Sequence, residues 1–83
     1  HKPTMIKALA ERKMLEILDG SCQTPIAGLA TINKKEISLK GEILKPDGSE
    51  KIRYEATDKI NNALQLGQSV GYNLINKAGS NFL

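Results

Sequence analysis

Eighty-three residues make one domain, spanning 1–83, and a domain of that size buries only about 60% of its unfolded surface, so its core is small. Hydrophobic residues at 40% and charged residues at 25% are ordinary for a soluble globular protein, and no apolar run approaches the roughly 18 residues of a membrane span. The formal charge of +3 comes from Lys and Arg residues never more than two in a row, which describes a solvated surface rather than a nucleic-acid patch; a single cysteine excludes an internal disulfide, and a single histidine (His1) with no Cys/His cluster offers no metal set.

The chain opens abruptly at His1-Lys2-Pro3 with no signal-peptide pattern, as a piece of something longer would. Thr4 can cap a helix over about Met5 to Leu18. Ile6, Leu9, Ala10, Met14, Ile17 and Leu18 fall on one side of that helix, with Lys13 interrupting the stripe and laying its aliphatic stem along the boundary. Gly20 sits where the stop belongs. After Pro25 the period becomes two. Ile26 to Ile32 reads as a strand rich in small residues. Glu36 to Lys45 sets Ile37, Leu39, Gly41 and Ile43 against Ser38, Lys40 and Glu42, and Ile52, Tyr54 and Ala56 alternate with Lys51, Arg53 and Glu55. Asn33-Lys34-Lys35 and Pro46-Asp47-Gly48-Ser49 turn the two strand pairs, giving an antiparallel meander.

The last element is a helix whose apolar arc holds Ile60, Ala63, Leu64, Gly67, Val70, Gly71, Leu74, Ile75 and Ala78, with Gly79 at its end. Two glycines on that arc cost about 1 kcal/mol each against alanine, so close backbone packing against the sheet or the first helix is expected there. The fold class is therefore α+β: a two-layer α-β-β-β-α domain, its three-stranded antiparallel sheet carrying both helices on one face.

Between the first helix and the first strand runs Asp19-Gly20-Ser21-Cys22-Gln23-Thr24-Pro25-Ile26, which holds the only thiol. Polar neighbours and a helix-stopping glycine point to an accessible cysteine at an element junction, where function concentrates. The thiolate is the reactive form, yet Cys22 follows a helix C-terminus, whose dipole disfavours negative charge, and no Lys, Arg or His lies within two residues of it. That context suits a sulfur that reacts once and then serves as an anchor better than one that turns over in every cycle.

The string from Ala10-Glu11-Arg12 through Leu18-Asp19-Gly20-Ser21-Cys22-Gln23-Thr24-Pro25-Ile26 resembles the start of the C-terminal domain of the porphobilinogen deaminase (hydroxymethylbilane synthase) family, whose pattern is A-E-R, a short helical stretch, then L-E-G-G-C-Q-x-P-I. Pro46-Asp47-Gly48-Ser49, Leu66-Gly67-Gln68-Ser69-Val70 and Lys77-Ala78-Gly79 extend the resemblance over nearly the whole chain. It implies a cytoplasmic transferase of tetrapyrrole and haem biosynthesis that joins four porphobilinogen molecules into hydroxymethylbilane with loss of ammonia. It also implies that Cys22 holds a dipyrromethane cofactor through a thioether. The family's catalytic carboxylate and carboxylate-binding arginines belong to two N-terminal domains, so Asp19, Arg12 and Arg53 are read as surface residues, this segment alone is expected to be an inactive monomer, and the implied partners are those two domains, with porphobilinogen and the polypyrrole chain reached through the whole active site. Ser21 replaces the second glycine of the family loop; a positive φ there would cost serine on the order of 1 kcal/mol.

Two other readings compete. The α-β-β-β-α order is also that of double-stranded-RNA-binding domains, which need a basic cluster opening the last helix; Thr57-Asp58-Lys59-Ile60-Asn61-Asn62 sets one lysine against one aspartate there. A structural fragment with an inert, buried Cys22 is the third.

Overall fold

The structure, a computed structural model, describes residues 3–19, 26–44 and 50–78, with Asp19 described by its backbone alone. Helix α1 runs Pro3–Asp19. It starts ahead of the expected cap: Pro3 is already helical, its fixed φ suiting the first turn, and Thr4 lies within that turn rather than capping it. Ala10, Met14 and Leu18 form the fully buried line, with Ile6 packed beside it. Leu9, expected in this stripe, is 48% exposed, because the contact line through Ala10, Met14 and Leu18 turns it to the helix flank.

Strands β1 (Ile26–Asn33), β2 (Glu36–Leu44) and β3 (Lys51–Lys59) form one antiparallel sheet in that order. Ile37, Leu39, Gly41 and Ile43 are buried, as their alternation requires, while Ile52, Tyr54 and Ala56 are half-buried against the same core. The opposite face satisfies itself across strands. Glu42 stands opposite Arg53 and takes its Nε at 2.8 Å, and the Ser38 and Thr57 hydroxyls share a hydrogen bond of 2.8 Å.

Asn33 pairs with Glu36, so Lys34 and Lys35 make a two-residue hairpin turn with Lys34 at φ 59°. A side chain at positive φ costs roughly 1 kcal/mol or more, part of which a glycine's extra unfolded freedom offsets. Lys34→Gly is expected to raise stability by about 0.5 kcal/mol, read as a higher denaturant midpoint at unchanged slope; a lower midpoint would contradict the strain. The Pro46–Ser49 turn and the stops expected at Gly20 and Gly79 lie outside the described residues.

The last helix begins later than expected. Thr57, Asp58 and Lys59 stay in the ladder opposite Ser38, Ile37 and Glu36, and the Ile60 N–H donates to the Lys35 carbonyl at 3.0 Å. A 3-10 turn over Ile60–Asn62 then leads into α2 (Ala63–Ala78). Tertiary pairing with the full length of β2 overrides the helical pattern there. The first turn of α2, Ala63-Leu64-Gln65-Leu66, carries no cation.

Helix α2 has two contact lines. Val70 and Leu74 meet the sheet at Gly41, where an added Cβ would stand 2.6 Å from Leu74 Cδ1. Gly67 and Gly71 meet α1: a Cβ on Gly67 would lie 2.5 Å from the Ala10 carbonyl oxygen, and one on Gly71 2.9 Å from Ile17 Cβ. Close backbone approach, expected from the glycine spacing, is thus between the helices. Having two contact lines widens the buried arc to Leu66, 3% exposed and not anticipated, while Leu64 is 39% exposed. Lys13 reaches Glu16 at 3.3 Å and faces Gly67 with its Cβ, as its place on the boundary predicts.

Each edge of the sheet also meets a helix side chain. The Ala30 N–H of β1 donates to Glu11 Oε2 at 2.7 Å, and Lys77 Nζ of α2 donates to the Arg53 carbonyl of β3 at 3.3 Å while standing 5.7 Å from the centre of the Tyr54 ring.

Candidate functional site

Cys22, the one residue singled out for covalent chemistry, lies outside the described residues, between the end of α1 and the start of β1. Both attachment points of its connection are held. On the α1 side Leu18 is fully buried one residue before the helix ends at Asp19. On the β1 side Ile26 is paired with Ile43 of the central strand. Further down this stem Met14 lies against Gly28, where an added Cβ would overlap its methyl group, and Glu11 holds Ala30. The last turn of α1 carries no basic residue, so nothing described there offsets the negative end of its dipole.

The polar residues read as surface groups stay apart. Arg12 is exposed on α1, and Arg53 is engaged with Glu42 on the open face of the sheet. The Asp19 side chain falls outside the described residues. Among the described residues no three His, Cys, Asp or Glu side chains gather as metal ligands, and no helix is long and apolar enough to cross a membrane.

Asp58 organises the corner from β3 into α2. Its Oδ1 accepts from Asn62 Nδ2 at 3.1 Å and from the Lys59 N–H at 2.7 Å. These bonds, the Asn62 contact foremost, hold its carboxyl below the ordinary aspartate value. A carboxyl depressed on folding adds stability above the unfolded value, and that increment is lost as pH falls through the folded one. The advantage of the native protein over Asp58→Asn in thermal midpoint is therefore expected to shrink below about pH 4; a difference constant from pH 6 to pH 3 would contradict the linkage.

One further feature was not legible as a site. Met5, Ile6 and Leu9 at the start of α1 face Ile60 and Leu64 across an open groove of about 570 Å³. The spacing of Ile6, Leu9, Ile60, Ala63 and Leu64 predicts core positions, and Met5 falls outside the predicted stripe. Leu9 lies ten residues before the end of α1, about 15 Å along the axis from the Cys22 connection.

The fold and this connection define a two-layer α+β domain whose sequence carries its only cysteine between the first helix and the first strand. The family model for the C-terminal domain of porphobilinogen deaminase matches residues 5–76. A porphobilinogen deaminase of Paracoccus denitrificans (strain Pd 1222) is 41% identical over 81 residues, which cover 98% of this chain and 26% of that protein. The chain belongs to the porphobilinogen deaminase family, in its C-terminal domain, and spans about a quarter of the length of the curated relative it matches.

Proposed function

We propose that this chain is the cofactor-anchoring domain of a cytoplasmic transferase that joins four porphobilinogen molecules into hydroxymethylbilane with release of ammonia, in tetrapyrrole biosynthesis. Cys22 is the anchor, its sulfur bonded as a thioether to dipyrromethane. The observation that carries this reading is the family match over residues 5–76, which runs through Cys22, the chain's only thiol. When bound, the dipyrromethane supplies a covalent attachment point for the growing pyrrole chain.

The chain's own contribution is positional. A helix ending without basic residues gives no help to a thiolate, so the thiol suits one alkylation by a strongly electrophilic carbon. A thioether once made is permanent, and every later encounter becomes intramolecular. The acid–base groups and the cations that hold substrate carboxylates belong to the two domains that precede this one in the whole enzyme. The segment alone is expected to have no activity.

Intact-mass and peptide mass analysis of the full-length enzyme tests the assignment. A dipyrromethane adduct on the Cys22 peptide is the expected result. A fully active enzyme with an unmodified Cys22 would overturn it.

A further inference from the structure

We infer that the groove between the starts of α1 and α2 seats apolar side chains from the part of the enzyme that precedes this domain. The inference rests on the reading of the chain as one domain of a larger deaminase, and not on the chemistry of Cys22.

Met5 is 61% exposed, Leu9 48% and Leu64 39%, all bordering one concavity with Ile60. Neither helix uses these side chains to cover the sheet, and leaving them together in water forgoes several kcal/mol of burial on the usual area scale. Something in the working enzyme covers them. The open sheet face differs: Glu42 with Arg53, and Ser38 with Thr57, satisfy one another there, and among the described residues its one exposed large hydrophobic is Leu29, whereas the groove gathers three.

Size decides among occupants. Seven of the described residues line the groove, whereas a stable interface between separate molecules takes about 20–30 residues a side. A second copy binding here alone would be weak. A covalently joined segment needs far less area, because its effective concentration reaches millimolar. The relative supplies such a segment: about three quarters of its length lies outside the match, and the match is to a C-terminal domain, so that length joins at α1. The start of α1, the end at which that length joins, is itself one wall of the groove.

The test uses the full-length enzyme with a photo-reactive benzoylphenylalanine in place of Leu64, and separately in place of Met5. Irradiation is expected to give an intramolecular cross-link from each position to an apolar residue in the N-terminal three quarters. A Leu9→Asp substitution added to the Leu64 probe is expected to lower the yield several-fold. A cross-link joining two enzyme molecules, a cross-link confined to this domain, no cross-link at all, or a yield indifferent to Leu9→Asp would each overturn the inference. Intact mass on the same sample reports Cys22: a missing adduct beside the expected cross-link defeats the anchor and leaves the groove's role standing, and an adduct without the cross-link does the reverse.

Discussion

Gly67→Ala is expected to lower the midpoint of thermal unfolding by roughly 10 °C, although alanine is the better helix former by about 1 kcal/mol. The added methyl would lie 2.5 Å from the Ala10 carbonyl oxygen and 2.9 Å from Lys13 Cβ. Both are fixed to the backbone of α1, so relief requires the helices to separate. Overpacking of this kind costs about 3 kcal/mol, leaving a net loss near 2 kcal/mol after the gain in propensity. Gly71→Ala meets Ile17 Cβ at 2.9 Å and is expected to behave similarly. Asn76→Ala, at an exposed position of the same helix, should stay within about 0.5 kcal/mol of the parent. An unchanged or raised midpoint for Gly67→Ala would show that α1 and α2 do not approach as closely as described.

Cys22→Ser in the full-length enzyme is expected to abolish the covalent adduct and cut activity at least about 100-fold. The hydroxyl is close in size to the thiol but a far poorer nucleophile at neutral pH, so the cofactor would not attach. Without a tether, each condensation loses the advantage of holding its reactants in one molecule, which reaches many orders of magnitude in well-oriented cases. Thermal unfolding measured alongside separates lost chemistry from lost fold. A Cys22→Ser enzyme that folds, carries no adduct on residue 22 and keeps most of its activity would defeat the proposed role.

Local patterning specified the elements here better than the contacts between them. The period of two in β2 put Ile37, Leu39, Gly41 and Ile43 on one face, and all four are buried, because a strand offers each residue only two directions. Helices offer a continuous circle. Leu9 and Leu64 looked like core residues because spacing records apolarity and says nothing about which part of an apolar arc another element covers. Leu66 was missed for the same reason, its side being claimed by the second contact line of α2. The delayed start of α2 depends on β2 being long enough to pair with Lys59, a fact 23 residues away in the chain. Glu11 with Ala30, and Lys77 with Arg53, join positions 19 and 24 residues apart, and no local signal marks them. Cys22 stood out through its rarity, its setting and the family resemblance, while its placement lies outside the described residues, so its role is argued from the match and from thiol chemistry.

The two contacts at the sheet edges matter beyond packing. An antiparallel ribbon that stops at its third strand offers outward amide groups to any passing extended peptide, and growth by such addition is how β structure propagates into aggregates. At Ala30 an incoming strand would have to evict a carboxylate, and at Arg53 an ammonium group. Two charged plugs of opposite sign, one from each helix, thus bias this small domain against recruiting a fourth strand from a neighbour while the polypeptide is crowded with its own copies.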